Sequence, residues 1–273
     1  MLATETAQLN DIDFDALKIQ MSSAPAFPHF CIDDFLDESF ALAVHDAFPS
    51  FEAAARVGDS FDAVNEKGKI QVTDASRFPP AILQLHRILA SDDFVSKLSY
   101  VSGIDHLIAD PALSGGGIHE TISGGHLDVH IDFNFNEQLG LHRRLNLLVY
   151  FNQDWREEYG GYLDLWGQDV AHCVGRFAPR FNRAAAFATS GISWHGVTPI
   201  KCPPGGTRKS FAVYYYTKEP PPLWDGAKHS TIFRARPDEY WKGNFAMPAE
   251  KLLRATRHKV EGAKRRIGAL LGS

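Results

Sequence analysis

Hydrophobic positions along the chain follow two rhythms, one before about residue 105 and another after it. In the first part they recur every three or four residues, the period of a helix with one apolar face. This spacing predicts a short helix around Ile12–Met21, one carrying Phe35, Leu36, Phe40, Val44 and Phe48, another over Pro79–Leu89, and a further one over Asp92–Val101. An aromatic-rich strand from Phe27 to Ile32 precedes the second of these. Residues 52–76 show neither period and carry Gly58, Gly68 and many charges, so they are read as a loop. From about 105 to 217 the text turns to short alternating or apolar runs punctuated by glycine: LIAD, GGGIHETI, GGHLDVHIDFN, RRLNLLVYFN, GGYLDLW, NRAAAFAT, HGVTPI and RKSFAVYYYT. Seven or eight strands with no crossover helices between them predict an antiparallel sandwich or barrel. The tail opens on Pro220-Pro221-Pro222, passes through a Trp- and Arg-rich stretch to Trp241, and closes on a helix expected over Pro248–Leu271. The fold class is mainly β with flanking helices.

Composition narrows this picture. The 273 residues, 44% hydrophobic, suffice for a substantial core, and the expected division is an N-terminal extension (1–24), one domain (25–219, β core about 105–217) and a C-terminal extension (220–273). A net charge of −5 disfavours broad affinity for nucleic acid or anionic lipid. No apolar run approaches the roughly 20 residues of a membrane span, and the acidic start is unlike a signal peptide, so a cytoplasmic location is expected. Cys31, Cys173 and Cys202 are too few and too scattered for a disulfide framework or a thiolate zinc site. The last helix would place Lys251, Arg254, Arg257, Lys259, Lys264, Arg265 and Arg266 on a basic face, read as a solvated surface packed on its own domain. Arg143-Arg144 fit either a steering patch for an anionic substrate or a strand beginning in solvent.

The segment GGHLDVHIDFN carries the chemistry. Residues two apart on a strand point to one side, so His126, Asp128, His130 and Asp132 are expected on one face. Either His-x-Asp pair can offer an imidazole nitrogen and a carboxylate oxygen to one metal ion, with His195 in SGISWHGVTPI as the candidate third ligand. Two histidines and one carboxylate leave positions open on ferrous iron for oxygen chemistry. In TRKSFAVYYYT, Arg208 and Ser210 share a strand face and could together hold a carboxylate.

The succession HIDFN, RRLNLLVYFNQDW, YGGYLDLW, WHGV and TRKSFAVYYYT resembles the prolyl 4-hydroxylase-like branch of the Fe(II)- and 2-oxoglutarate-dependent oxygenases, over roughly residues 100–217. The resemblance implies a double-stranded β-helix (a cupin-like jelly roll), with N-terminal helices packed on its major sheet. It selects His130 and Asp132, followed by an aromatic and Asn, over His126 and Asp128, and gives His195 as the distal ligand. It matches Arg208, with Ser210 beside it, to the anchor of the 2-oxoglutarate 5-carboxylate, and Tyr150 to a tyrosine that reaches the same carboxylate in some members. Asn146 and Leu148 point the same way as Tyr150. Where several relatives place a tyrosine before the metal motif, this chain has His119 and Thr121. The implied cofactors are Fe(II), 2-oxoglutarate and O2, with ascorbate as a stimulant, and the implied reaction is hydroxylation of an unactivated C–H bond with succinate and CO2 as co-products. Asp132 favours that outcome over halogenation, since related halogenases lack this carboxylate.

Prolyl side chains of a peptide, a free amino acid and a small metabolite are all compatible substrates. The oligomeric state is not fixed by the sequence, and no nucleic-acid partner is expected. The competing class is a jelly-roll protein that binds metal or ligand without oxygenase turnover.

Overall fold

A computed structural model describes residues 8–222, 224–239, 241–243 and 247. Five helices precede most of the sheet: α1 (Phe14–Ser23), α2 (Glu38–Ala47), α3 (Phe51–Ala55), α4 (Pro80–Leu89) and α5 (Asp92–Ser102). Their starts follow from local chemistry. Asp13, Asp37, Ser50 and Ser91 each accept a hydrogen bond from a backbone N–H of the first turn, and Gly103 ends α5 in the left-handed conformation.

The strands are β1 (His29–Ile32), β2 (Asp59–Asp62), β3 (Glu66–Val72), β4 (Ile108–Ala109), β5 (Gly117–Ile131), β6 (Phe135–Asn136), β7 (Leu141–Tyr150), β8 (Leu163–Trp166), β9 (Cys173–Phe177), β10 (Arg183–Ala188), β11 (His195–Val197), β12 (Thr207–Thr217) and β13 (Ile232–Phe233). Every ladder between them is antiparallel. The order β1-β10-β7-β12-β5-β11-β8-β9 wraps into a nearly closed jelly roll, whose two ends approach where Phe177 of β9 meets His29 of β1 at 5.8 Å between ring centroids.

The long strand β5 belongs to both walls. Its first half pairs with β12, and its second half pairs with β11. The bend falls at Gly124-Gly125, where Gly124 has φ +85° and a Cβ on Gly125 would lie 2.4 Å from Thr121 Cγ2 and 2.8 Å from the Lys67 carbonyl. GGGIHETI and GGHLDVHIDFN, expected as two strands, are therefore one.

β7 shows how the walls divide labour. Leu145, Leu147 and Val149 face the helices and join a core with Phe30, Leu85, Ile88, Phe94, Phe211 and Val213. The alternate positions Asn146, Leu148 and Tyr150 turn inward. The N-terminal helices thus cover the major sheet as expected. The helix expected over Pro248–Leu271 lies outside the described residues.

The structure corrects the reading of residues 52–76 as a loop. They hold α3 and the β2–β3 hairpin, and β3 pairs along β5 from Ile118 to Leu127. With Glu66, Lys67 and Lys69 around Gly68, only Ile70 and Val72 of β3 reach the main core, so the segment is a strand through its ladder and not through an apolar face. β9 was likewise invisible to hydrophobic alternation, because Cys173–Phe177 is mostly exposed or half-buried.

Candidate metal centre and its anion pocket

β5 and β11 set the centre through their register. His195 lies directly across from His130, and their rings are 4.2 Å apart between centroids. Asp132 follows β5 immediately. Its Oδ1 is 3.5 Å from His130 Nε2 and its Oδ2 is 3.5 Å from His195 Nε2, so one nitrogen from each histidine and a carboxylate oxygen gather within 4.8 Å.

The tautomers are set by what lies behind each ring. His130 Nδ1 is 2.8 Å from the Asp128 carbonyl and His195 Nδ1 is 2.9 Å from the Ser193 carbonyl. Carbonyls only accept, so each Nδ1 carries a proton, and Nε2 is the nitrogen left facing inward to offer a lone pair to a metal ion. Burial, followed by the neighbouring His130, pushes the His195 pKa down to about 3, which keeps its ring neutral. Burial alone would raise the pKa of Asp132, but Arg143 and the two histidines outweigh it and hold the carboxyl well below its ordinary range.

Arg143 is the residue that sequence reasoning missed here. It is buried, contacts Asp132 Oδ2 at 3.0 Å, donates to Asn146 Oδ1 and lies 3.6 Å over the Tyr214 ring. Neither expected role for Arg143, surface steering or a solvated strand start, holds. A register shift between β7 and β12 at Tyr215/Tyr216 precedes its pairing with Tyr216. No regular alternation would signal it. Asn146 adds a second bond to Asp132 Oδ2, at 2.8 Å, so both supports fall on one oxygen and Oδ1 keeps its lone pairs free.

The His126, Asp128, His130, Asp132 face does not form as expected. Val197 opposes Leu127 while His195 opposes His130, so three steps along β5 face two along β11. This bulge brings Leu127 to the cavity beside His126 and His130, and Asp128 is instead gripped by Lys242 at 2.6 Å with Arg236 at 3.7 Å.

The second half of the site is the anion pocket. Arg208 and Ser210 on β12 are buried, and Ser210 lies across from Tyr150. Arg208 Nε donates to the Gly161 carbonyl at 2.7 Å, and Nη1 is 3.4 Å from Ser210 Oγ. Gly160 and Gly161 have φ +62° and +67°, and a Cβ on Gly161 would come within 3.1 Å of Arg208 Cδ. Arg208 Nη2 and the Tyr150 hydroxyl are buried without a hydrogen-bond partner. Burial pushes the Tyr150 pKa up to about 12 against the pull of Arg208, so the hydroxyl keeps its proton as a donor.

A guanidinium N–H and a hydroxyl, both buried and both unanswered, fit a carboxylate. Two imidazole nitrogens and a carboxylate fit a divalent first-row metal. The donor sets therefore suit ferrous iron and a dicarboxylic 2-oxo acid. The cavity joining them, about 70 Å³, is lined by the three candidate ligands, Arg208, Asn146 and Leu148, and also by His119, Thr121 and Lys69.

Residues 116–216 match the family model described as 2OG-Fe(II) oxygenase superfamily. Among solved structures, a prolyl hydroxylase from Trichoplax adhaerens, in complex with a hypoxia inducible factor oxygen degradation domain peptide fragment, shares the fold at 18% identity and TM-score 0.51, over 74% of this chain and 88% of that one. A prolyl-4-hydroxylase from Pseudomonas putida does so at 15% identity and TM-score 0.53, over 74% and 99%. No curated protein sequence matches. The matched segment contains His130, Asp132, Tyr150, His195 and Arg208, so the candidate metal ligands and the anion pocket lie in the part of the chain that is similar to the 2OG-Fe(II) oxygenase superfamily.

Proposed function

We propose that the protein hydroxylates an unactivated C–H bond of a peptide or small-molecule substrate, releasing succinate and CO2 from 2-oxoglutarate. One observation carries this reading: three inward-facing ligand atoms within 4.8 Å share a cavity with a buried guanidinium N–H, and a tyrosine hydroxyl beside that guanidinium is likewise unanswered. A protein that only bound metal would not need the second feature.

His130, Asp132 and His195 would hold Fe(II), which supplies a site for O2 reduction coupled to decarboxylation of the 2-oxo acid. The protein's part is positioning. The carbonyls of Asp128 and Ser193 lock the two imidazoles, and Arg143 with Asn146 locks the carboxylate, so that no ligand must reorganise when the ion enters. Arg208, Tyr150 and Ser210 would grasp the distal carboxylate and fix the co-substrate's direction relative to the metal. Leu148, Leu163, Phe187 and Val197 supply apolar walls that keep water from the reacting centre.

The similarity to a hydroxylase solved with a peptide fragment supports considering a peptide substrate. The test is direct. Purified protein given Fe(II), 2-oxoglutarate and O2 is expected to release succinate slowly without added substrate, and His130→Ala is expected to abolish that release. Failure to bind iron under anaerobic conditions would overturn the reading.

A further inference from the structure

Among the described residues, two cations line the central cavity, Arg208 and Lys69. Arg208 is accounted for by the co-substrate, whereas Lys69 comes from the β2–β3 hairpin, outside the segment that matches the family. Its position is built by paired kinks. Gly68 has φ +63°, and a Cβ there would lie 3.2 Å from Gly125 Cα. Consequently, a step from Lys67 to Lys69 on β3 spans the step from His126 to Thr121 on β5. Residues three apart on a regular strand face opposite sides, yet Lys69 Nζ reaches Glu66 Oε1 at 2.8 Å. The ammonium is thereby drawn along the strand toward Glu66, which lies across from Leu127, a wall of the cavity near the metal ligands.

The charge around the cavity is unbalanced. Asp132 is answered by Arg143 and Lys69 by Glu66, and a divalent ion cancels a dianionic co-substrate, so the charge of Arg208 leaves the loaded site net positive. Lys69 is left with Glu66, which does not itself line the cavity, and its side chain is only 12% exposed. Its field reaches inside: burial first, and Lys69 next, hold the pKa of the cavity residue His119 well below its ordinary value. A half-buried ammonium beside a loaded site with surplus positive charge suits an incoming anion. An internal prolyl residue of a peptide brings no charge to answer it.

We propose that Lys69 receives a carboxylate of the primary substrate, so that the enzyme acts on a small carboxylic acid and not on a residue within a polypeptide. This rests on the oxygenase reading above. The test measures 2-oxoglutarate consumption with Fe(II) in the presence of free L-amino acids and small 2-hydroxy and dicarboxylic acids, of the corresponding amides, and of end-blocked prolyl peptides. At least one free acid is expected to stimulate consumption at least tenfold more than its amide or any blocked peptide. Lys69→Met should lower kcat/KM for that acid at least tenfold and Lys69→Arg should restore most of it. Calorimetry with Mn(II)-loaded protein should meanwhile show 2-oxoglutarate affinity in Lys69→Met within twofold of the parent. Equal stimulation by amides or blocked peptides, no stimulation by any acid, or a tenfold loss of 2-oxoglutarate affinity in Lys69→Met would each overturn the proposal. Substrate-free consumption that persists in the parent protein separates those failures from failure of the oxygenase reading, in which no 2-oxoglutarate would be consumed at all.

Discussion

Arg143 stands behind Asp132 with its charge fully desolvated, and its removal would leave a buried carboxylate with only Asn146 for support. Because partners of this kind orient ligands, Arg143→Ala is expected to weaken Fe(II) or Mn(II) affinity by about 10- to 100-fold, read by calorimetry. A second buried acid gives a pH signature. Burial raises Glu120 from an ordinary value of 4.5 to about 7, with Thr207 donating to one oxygen and the other unanswered. A carboxyl raised in the folded state favours folding below pH 4.5 and loses that contribution as pH rises toward 7. Glu120→Gln is therefore expected to stabilise the protein at pH 8 by roughly 2 kcal/mol and to change little at pH 4.5, as read from denaturant midpoints. At this scale the sequence revealed His130, Asp132, His195 and Arg208 as candidates because strand alternation and family text coincide there. Arg143 and Asp128 were misread because each sits next to a register shift, where counting by twos fails.

Elements show the same division. Helices α1, α2, α4 and α5 and the strands β7, β10 and β12 were legible because each buries an apolar stripe. The β2–β3 hairpin was not, since its stability comes from backbone pairing with β5, which leaves little trace in side-chain polarity. Glycines mark where the strands bend. Gly125→Ala would drive a methyl into Thr121 and the Lys67 and Ile122 carbonyls, two of the three being rigid backbone. A loss of about 1–3 kcal/mol is expected on unfolding in urea, with metal affinity also reduced because the bend aims His130.

For the whole molecule, the sequence supported one jelly roll with helices on the major sheet, and the wall-crossing path of β5 is what makes that possible. Among the described residues no helix is long and apolar enough to cross a membrane, and the three cysteines are free. The described residues beyond Pro222 return to the jelly roll: Phe233 pairs with His130, its ring 5.4 Å away, while Arg236 and Lys242 close on Asp128.

That return has a colloidal consequence. β11 satisfies one side of the strand segment that bears His130, and β13 satisfies the other with only two residues. Without β13 the segment would present open backbone N–H and C=O groups to any passing chain, the usual seed of strand-to-strand self-association. An Ile232→Pro, Phe233→Ser double variant is expected to form oligomers at concentrations where the parent does not, visible by light scattering. The short strand that flanks the metal ligand would then also be the molecule's guard against sticking to itself.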